Sequence, residues 1–148
     1  MTPETDHLLR TSFGTILTDV APHIAHDYAG GSVTLIGLLM LFAAEDFERG
    51  ADVRARENGA MRTLFADAAR ALPRGSLRDA VAAAAVTRDA DLAISTLNAS
   101  NAALKTVLID LHAYVEDWHD PAASALDGRI WAILRQFADG RALTMPAL

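Results

Sequence analysis

Three side chains near the middle of the chain have types and spacing that suit metal chemistry: His112-x-x-x-Glu116-x-x-His119. Steps of four and three residues put all three on one face of a helix, close enough to share an ion. Two neutral imidazoles and a carboxylate suit a divalent transition metal such as Zn, Fe, Mn or Ni. One helix cannot enclose a metal, so the remaining ligands must come from elsewhere. Glu45, Glu48 and Asp52 share a helical face by the same rule, and His23, His26 and Asp27 form another set. The competing expectation is a solvated acidic edge with two ordinary histidines. For Glu45 and its neighbours it is a salt-bridged surface, because Glu45–Arg49 and Asp52–Arg56 are i, i+4 pairs.

Two short segments resemble elements of known helical families. Glu116-Asp117-Trp118-His119 resembles one Glu-x-x-His element of the ferritin-like di-iron bundles, which use two such elements and two further helix-borne glutamates. This chain has one. Glu45-Asp46-Phe47-Glu48 is similar to the Glu-x-x-Glu element of all-helical nucleotide pyrophosphohydrolases, but the Glu-x-x-Asp partner of that family is missing here. Each resemblance covers four residues. No nucleophile elbow or phosphate loop is present.

The element that must position the His112 face is the stretch 91–120. Ile94, Leu97, Asn101, Leu104, Leu108, Leu111, Val115 and Trp118 alternate steps of three and four, which is a heptad seam with one polar a position, Asn101. A buried asparagine in such a seam needs a partner and fixes register or oligomeric state. Ile94, Leu97, Asn101, Leu104 and Leu108 are therefore the expected helix–helix interface, within the chain or across a homodimer. Residues 56–67 echo residues 99–110 at an offset of 43: Asn58 matches Asn101, Arg62 matches Lys105, and Met61 and Phe65 match Leu104 and Leu108. A duplicated helical unit would set both asparagines at equivalent depth. Chance similarity between two amphipathic helices is the alternative.

The rest of the chain reads as helix punctuated by breakers. Alanine supplies 30 of 148 residues and proline five, an all-α composition. Thr2-Pro3-Glu4 has the chemistry of a helix start. Pro22 should kink or restart the first helix, Gly30-Gly31 should end it, and Ser32 should cap the second. Val33–Ala44 is apolar all round, which predicts a central, buried helix. At 12 residues it is too short to span a bilayer. Helical spacing continues to Leu72, with a bend expected at Gly50 or Gly59. Pro73-Arg74-Gly75 breaks the chain, Ser76 and Asp79 imitate a capping box, and Asp120-Pro121 starts a last helix that Gly140 stops.

These features predict one all-α domain over residues 1–140, an elongated bundle of four to six helices with two long ones at its centre, followed by a loose or docked tail at 141–148. With net charge −6 and a single lysine, the chain lacks the basic face that phosphate or an anionic membrane needs. The absence of cysteine excludes disulfides and thiolate sites and fits a cytoplasmic location. The expected function is non-enzymatic: self-association, with a homodimer favoured, and protein contacts. Two alternatives are a metal-dependent bundle enzyme using His112, Glu116 and His119 with Glu45 or Glu48, and a bundle binding an apolar ligand near Met40, Phe42, Phe47 and Trp118.

Overall fold

A computed structural model describes residues 4–143, and the fold is all-α. Its helices are α1 (Thr5–Thr15), α2 (Asp27–Ala71), α3 (Ser76–Ala85), α4 (Ile94–Asp117) and α5 (Pro121–Gly140), with a π-helical turn (Ile16–Val20) and a 3-10 turn (Ala21–His23) after α1. The chain divides into two compact units, one formed by the chain up to Gly50 and the other by Ala51–Ala142. Helix α2 contributes its first half to one and its second half to the other.

Several expected boundaries move. Thr2 and Pro3 lie outside the described residues, and Glu4 is the N-cap of α1, with extended backbone. Pro22 does break the helix: the chain passes through the 3-10 turn and reaches extended backbone at Ile24. The new helix starts at once, at Asp27, so Gly30-Gly31 are helical rather than terminal. Ser32 donates its hydroxyl to the Tyr28 carbonyl, 3.0 Å away, and caps nothing. From there α2 is a single α-helix of 45 residues, about 67 Å at 1.5 Å per residue. It runs through Gly50 and Gly59, because a cost of about 1 kcal/mol per glycine does not break a helix whose flanks are packed. At α3 the N-cap is Gly75 rather than Ser76, and no side chain caps it.

In the first unit α1 lies along the start of α2. Gly37 lets the two helices approach: a Cβ there would stand 3.1 Å from Ile16 Cγ2 and 3.4 Å from Phe13 Cδ2. Phe13, Leu41 and Ala44 are buried, and Arg10 donates to Glu45 at 2.5 Å. The opposite face of α2 is bare. Tyr28, Leu35, Ile36, Leu39, Phe42 and Phe47 are 40–82% exposed. The sequence predicted a buried helix here; in the structure one face is covered by α1, and among the described residues no element covers the other. By length and composition α2 contains a stretch able to cross a membrane, and 17% of that stretch is buried.

The second unit is a four-helix bundle made by residues 51–71 of α2 with α3, α4 and α5. Its core joins all four: Met61, Leu64, Phe65, Ala68 and Leu72 from α2 and the residue after it, Val81 and Ala84 from α3, Leu104, Leu108, Leu111 and Val115 from α4, and Ala123, Leu126, Ile130 and Phe137 from α5. Polar pairs fix the helix directions. Arg54 meets Asn98 and Asn58 meets Asn101, so α4 runs parallel to α2. Asp67 meets Arg129 and Glu57 meets Arg141, so α5 runs antiparallel to both. This is an up-down-up-down bundle.

Candidate functional site

The seam residues of α4 find their partner inside the chain. Leu97, Asn101, Leu104 and Leu108 are buried, and Ile94 is half-buried at the helix start. Asn101 Nδ2 donates to Asn58 Oδ1 at 2.9 Å and to Glu57 Oε2 at 3.0 Å. The two asparagines of the 43-residue echo are thus hydrogen-bonded to each other across parallel helices, both buried. Register fixing by a polar a position operates here between two segments of one chain, and this seam is not free to pair with a second chain.

A buried polar chain extends from that pair. Asn58 Nδ2 donates to Asp89 Oδ1 at 3.0 Å and to the Leu97 carbonyl at 3.3 Å. Arg62 holds Asp89 through two bonds of 2.9 and 2.8 Å. At the other end Arg141 donates to both oxygens of Glu57 at 2.5 and 2.8 Å, and Lys105 Nζ stands 3.7 Å away. Arg141, assigned by sequence to the tail, is therefore docked on the bundle. Among the described residues no buried side-chain nitrogen or oxygen lacks a partner.

Burial pushes the Glu57 carboxyl up, but hydrogen bonds from Arg141 and Asn101 and the charges of Arg141 and Lys105 outweigh it, so the group sits below its ordinary 4.5. Asp89 falls from 3.8 to about 2, first because Arg62 hydrogen-bonds its charged form. Both carboxyls bind protons less readily when folded than when unfolded, so each stabilises the fold above its ordinary value and loses that contribution as pH falls through the folded one. Far-ultraviolet circular dichroism of the chain should therefore show stability falling from about pH 4 to about pH 2, and Arg62→Gln should move the loss to higher pH. An unchanged acid transition in Arg62→Gln would contradict this.

The His112 face departs from the expected metal site. Helix α4 ends at Asp117, and Trp118 is already extended (φ −92°, ψ 105°), as is Asp120 (φ −141°, ψ 146°), where the ring of Pro121 disfavours helix. The i, i+7 relation between His112 and His119 is lost. His112 Nε2 instead lies 3.0 Å from Asp127 Oδ1 of α5 and 3.7 Å from Glu116 Oε1, with its ring edge-on to Trp131 at 5.3 Å and 82°. Asp127 carried no sequence signal, because its partner sits on another helix. Glu45 is engaged by Arg10 and by Arg49 at 3.2 Å, and Glu48 is exposed. Among the described residues no group of three or more His, Asp or Glu is placed to hold a metal ion.

Around this turn lies an open cleft of about 840 Å3, lined by Val115, Glu116, Trp118, His119, Asp120, Pro121, Ala123, Ser124, Asp127 and Trp131. Asp120 caps α5, accepting from Ala122 N at 2.7 Å. Phe42 and Phe47, expected around an apolar ligand, are exposed instead. No protein-family model, curated protein or solved structure matches this chain.

Proposed function

We propose that the protein acts through helix-mediated self-association, and that the surface that pairs is the bare face of the first half of α2 rather than the heptad seam of α4. The observation that carries this is the stripe Tyr28, Leu35, Ile36, Leu39, Phe42 and Phe47, exposed on one side of a helix whose other side is already covered. Six side chains of this size present several hundred Å2 of apolar surface. A typical monomer's largest patch is about 300–600 Å2, and a standard interface takes about 800 Å2 from each partner.

A second copy is the occupant favoured by the charges. Residues 28–44 carry no charged side chain, and no Lys or Arg occurs from 11 to 48. The flanking charges are mostly acidic, Asp19, Asp27, Glu45, Asp46 and Glu48, and the arginines Arg10 and Arg49 are both engaged by Glu45. Anionic lipid repels such a rim, whereas two identical neutral stripes pack by apolar contact and leave their acids at the solvated ends. Symmetry then brings Leu39, near the middle of the stripe, close to its own counterpart.

The chain has no cysteine, so one introduced thiol reports cleanly. Leu39→Cys should form an inter-chain disulfide under mild oxidation, while Ala103→Cys on the exposed side of α4 should not. Equal cross-linking of the two, none at Leu39→Cys, or cosedimentation of the unmodified chain with lipid vesicles in place of self-association would overturn the reading.

A further inference from the structure

We propose that the cleft between the end of α4 and the start of α5 is a binding site for a small organic cation whose charge is carried by a methylated ammonium group. Its lining contains two indoles, Trp118 and Trp131, three carboxylates, Glu116, Asp120 and Asp127, and no Lys or Arg. An aromatic face attracts a cation through its quadrupole, tryptophan most strongly, and aromatic-lined sites take quaternary ammonium groups. The carboxylates supply the opposite charge without having to touch it. The volume lies within the about 300–1,000 Å3 of small-ligand sites.

The chemistry also selects among cations. A metal ion needs several oxygens or nitrogens converging on one point, and among the described residues no such group is formed. Two of the three carboxylates already have work: Asp127 faces His112 at 3.0 Å and Asp120 caps α5. A primary ammonium brings three donors that each require an acceptor, whereas Val115, Trp118, Pro121, Ala123 and Trp131 make much of this wall apolar. N-methyl groups ask for no hydrogen bonds, spread the charge over a large surface and suit that wall. His112 holds the site together: it meets Trp131 edge-on at 5.3 Å and fixes Asp127 beside it, so ring and carboxylate belong to one preformed corner.

The two tryptophans of the chain are the two in the cleft, so tryptophan fluorescence, excited selectively over the two tyrosines, reports this site. Titration of the full chain with choline should give a saturable change. The neutral isostere 3,3-dimethylbutan-1-ol, which has the shape without the charge, should bind at least about tenfold more weakly. Asp127→Asn and Trp131→Leu should each weaken choline binding, and Trp131→Phe should restore part of it, with ligand-observed NMR as the readout for the tryptophan variants and circular dichroism to confirm folding. No saturable response to choline, equal binding of the neutral isostere, or stronger binding of Ca2+ or Zn2+ than of choline would overturn the proposal.

Discussion

Asn101→Leu should destabilise the bundle by about 3 kcal/mol even though it places leucine in a leucine-rich seam. The substitution removes the donor shared by Asn58 Oδ1 and Glu57 Oε2, leaving the buried Asn58 oxygen unpaired and taking one hydrogen bond from the Glu57 carboxylate, which keeps Arg141. A neutral buried group left unpaired costs about 1–3 kcal/mol, and a lost hydrogen bond to a charged group about 1.5–3 kcal/mol. Against this, the added apolar side chain contributes about 1–2 kcal/mol of burial, which the absence of a prepared cavity reduces. For a unit of the size of Ala51–Ala142 the net cost corresponds to a fall in Tm of roughly 15 °C. Differential scanning calorimetry measures it. A variant as stable as the wild type would show that the Asn58–Asn101 pair does not hold the seam.

A carboxylate in the bare stripe should act in the opposite way, on association and not on folding. Leu35, Leu39 and Phe42 are exposed within the chain, so Leu35→Asp with Leu39→Asp leaves the core untouched, and its thermal stability as a monomer should stay within about 0.5 kcal/mol of the wild type per substitution. In a dimer the same residues meet near a symmetry axis, where each carboxylate loses water and faces its own copy. That penalty is several kcal/mol, enough to raise the dissociation constant by about a thousandfold. Analytical ultracentrifugation of the double variant should show monomer where the wild type shows dimer, with unchanged helicity. The two variants separate the roles of the two apolar surfaces: Asn101→Leu affects folding, and the aspartates affect assembly.

The helical periodicities and Pro/Gly breaks made the all-α class legible in the sequence, and α4 was legible almost residue by residue. A heptad seam with one asparagine states both that a helix is there and that a polar partner faces it. The 43-residue echo matched Asn58 with Asn101 as positions of equivalent depth, without stating that the two meet. What the sequence lacked was the information that the two copies pack against each other and run parallel, which the four-helix path decides. The His112 face misled because helical spacing was extended two residues too far, into the turn between α4 and α5. The apolar run 33–44 misled for another reason. Periodicity says which residues are apolar and not how many neighbours are available to cover them; α1 covers one side only. Arg141, Asp127 and Asp89 act through partners distant in sequence, and a single sequence carries no signal for such pairs.

Self-association through the first half of α2 is tested most directly by sedimentation equilibrium of the unmodified chain from about 1 to about 100 µM, the range in which a standard-size interface is populated. The predicted result is a monomer–dimer equilibrium that shifts toward dimer with concentration and insensitively to added salt, as apolar pairing without ion pairs requires. A single species of monomer mass across the whole range would contradict it.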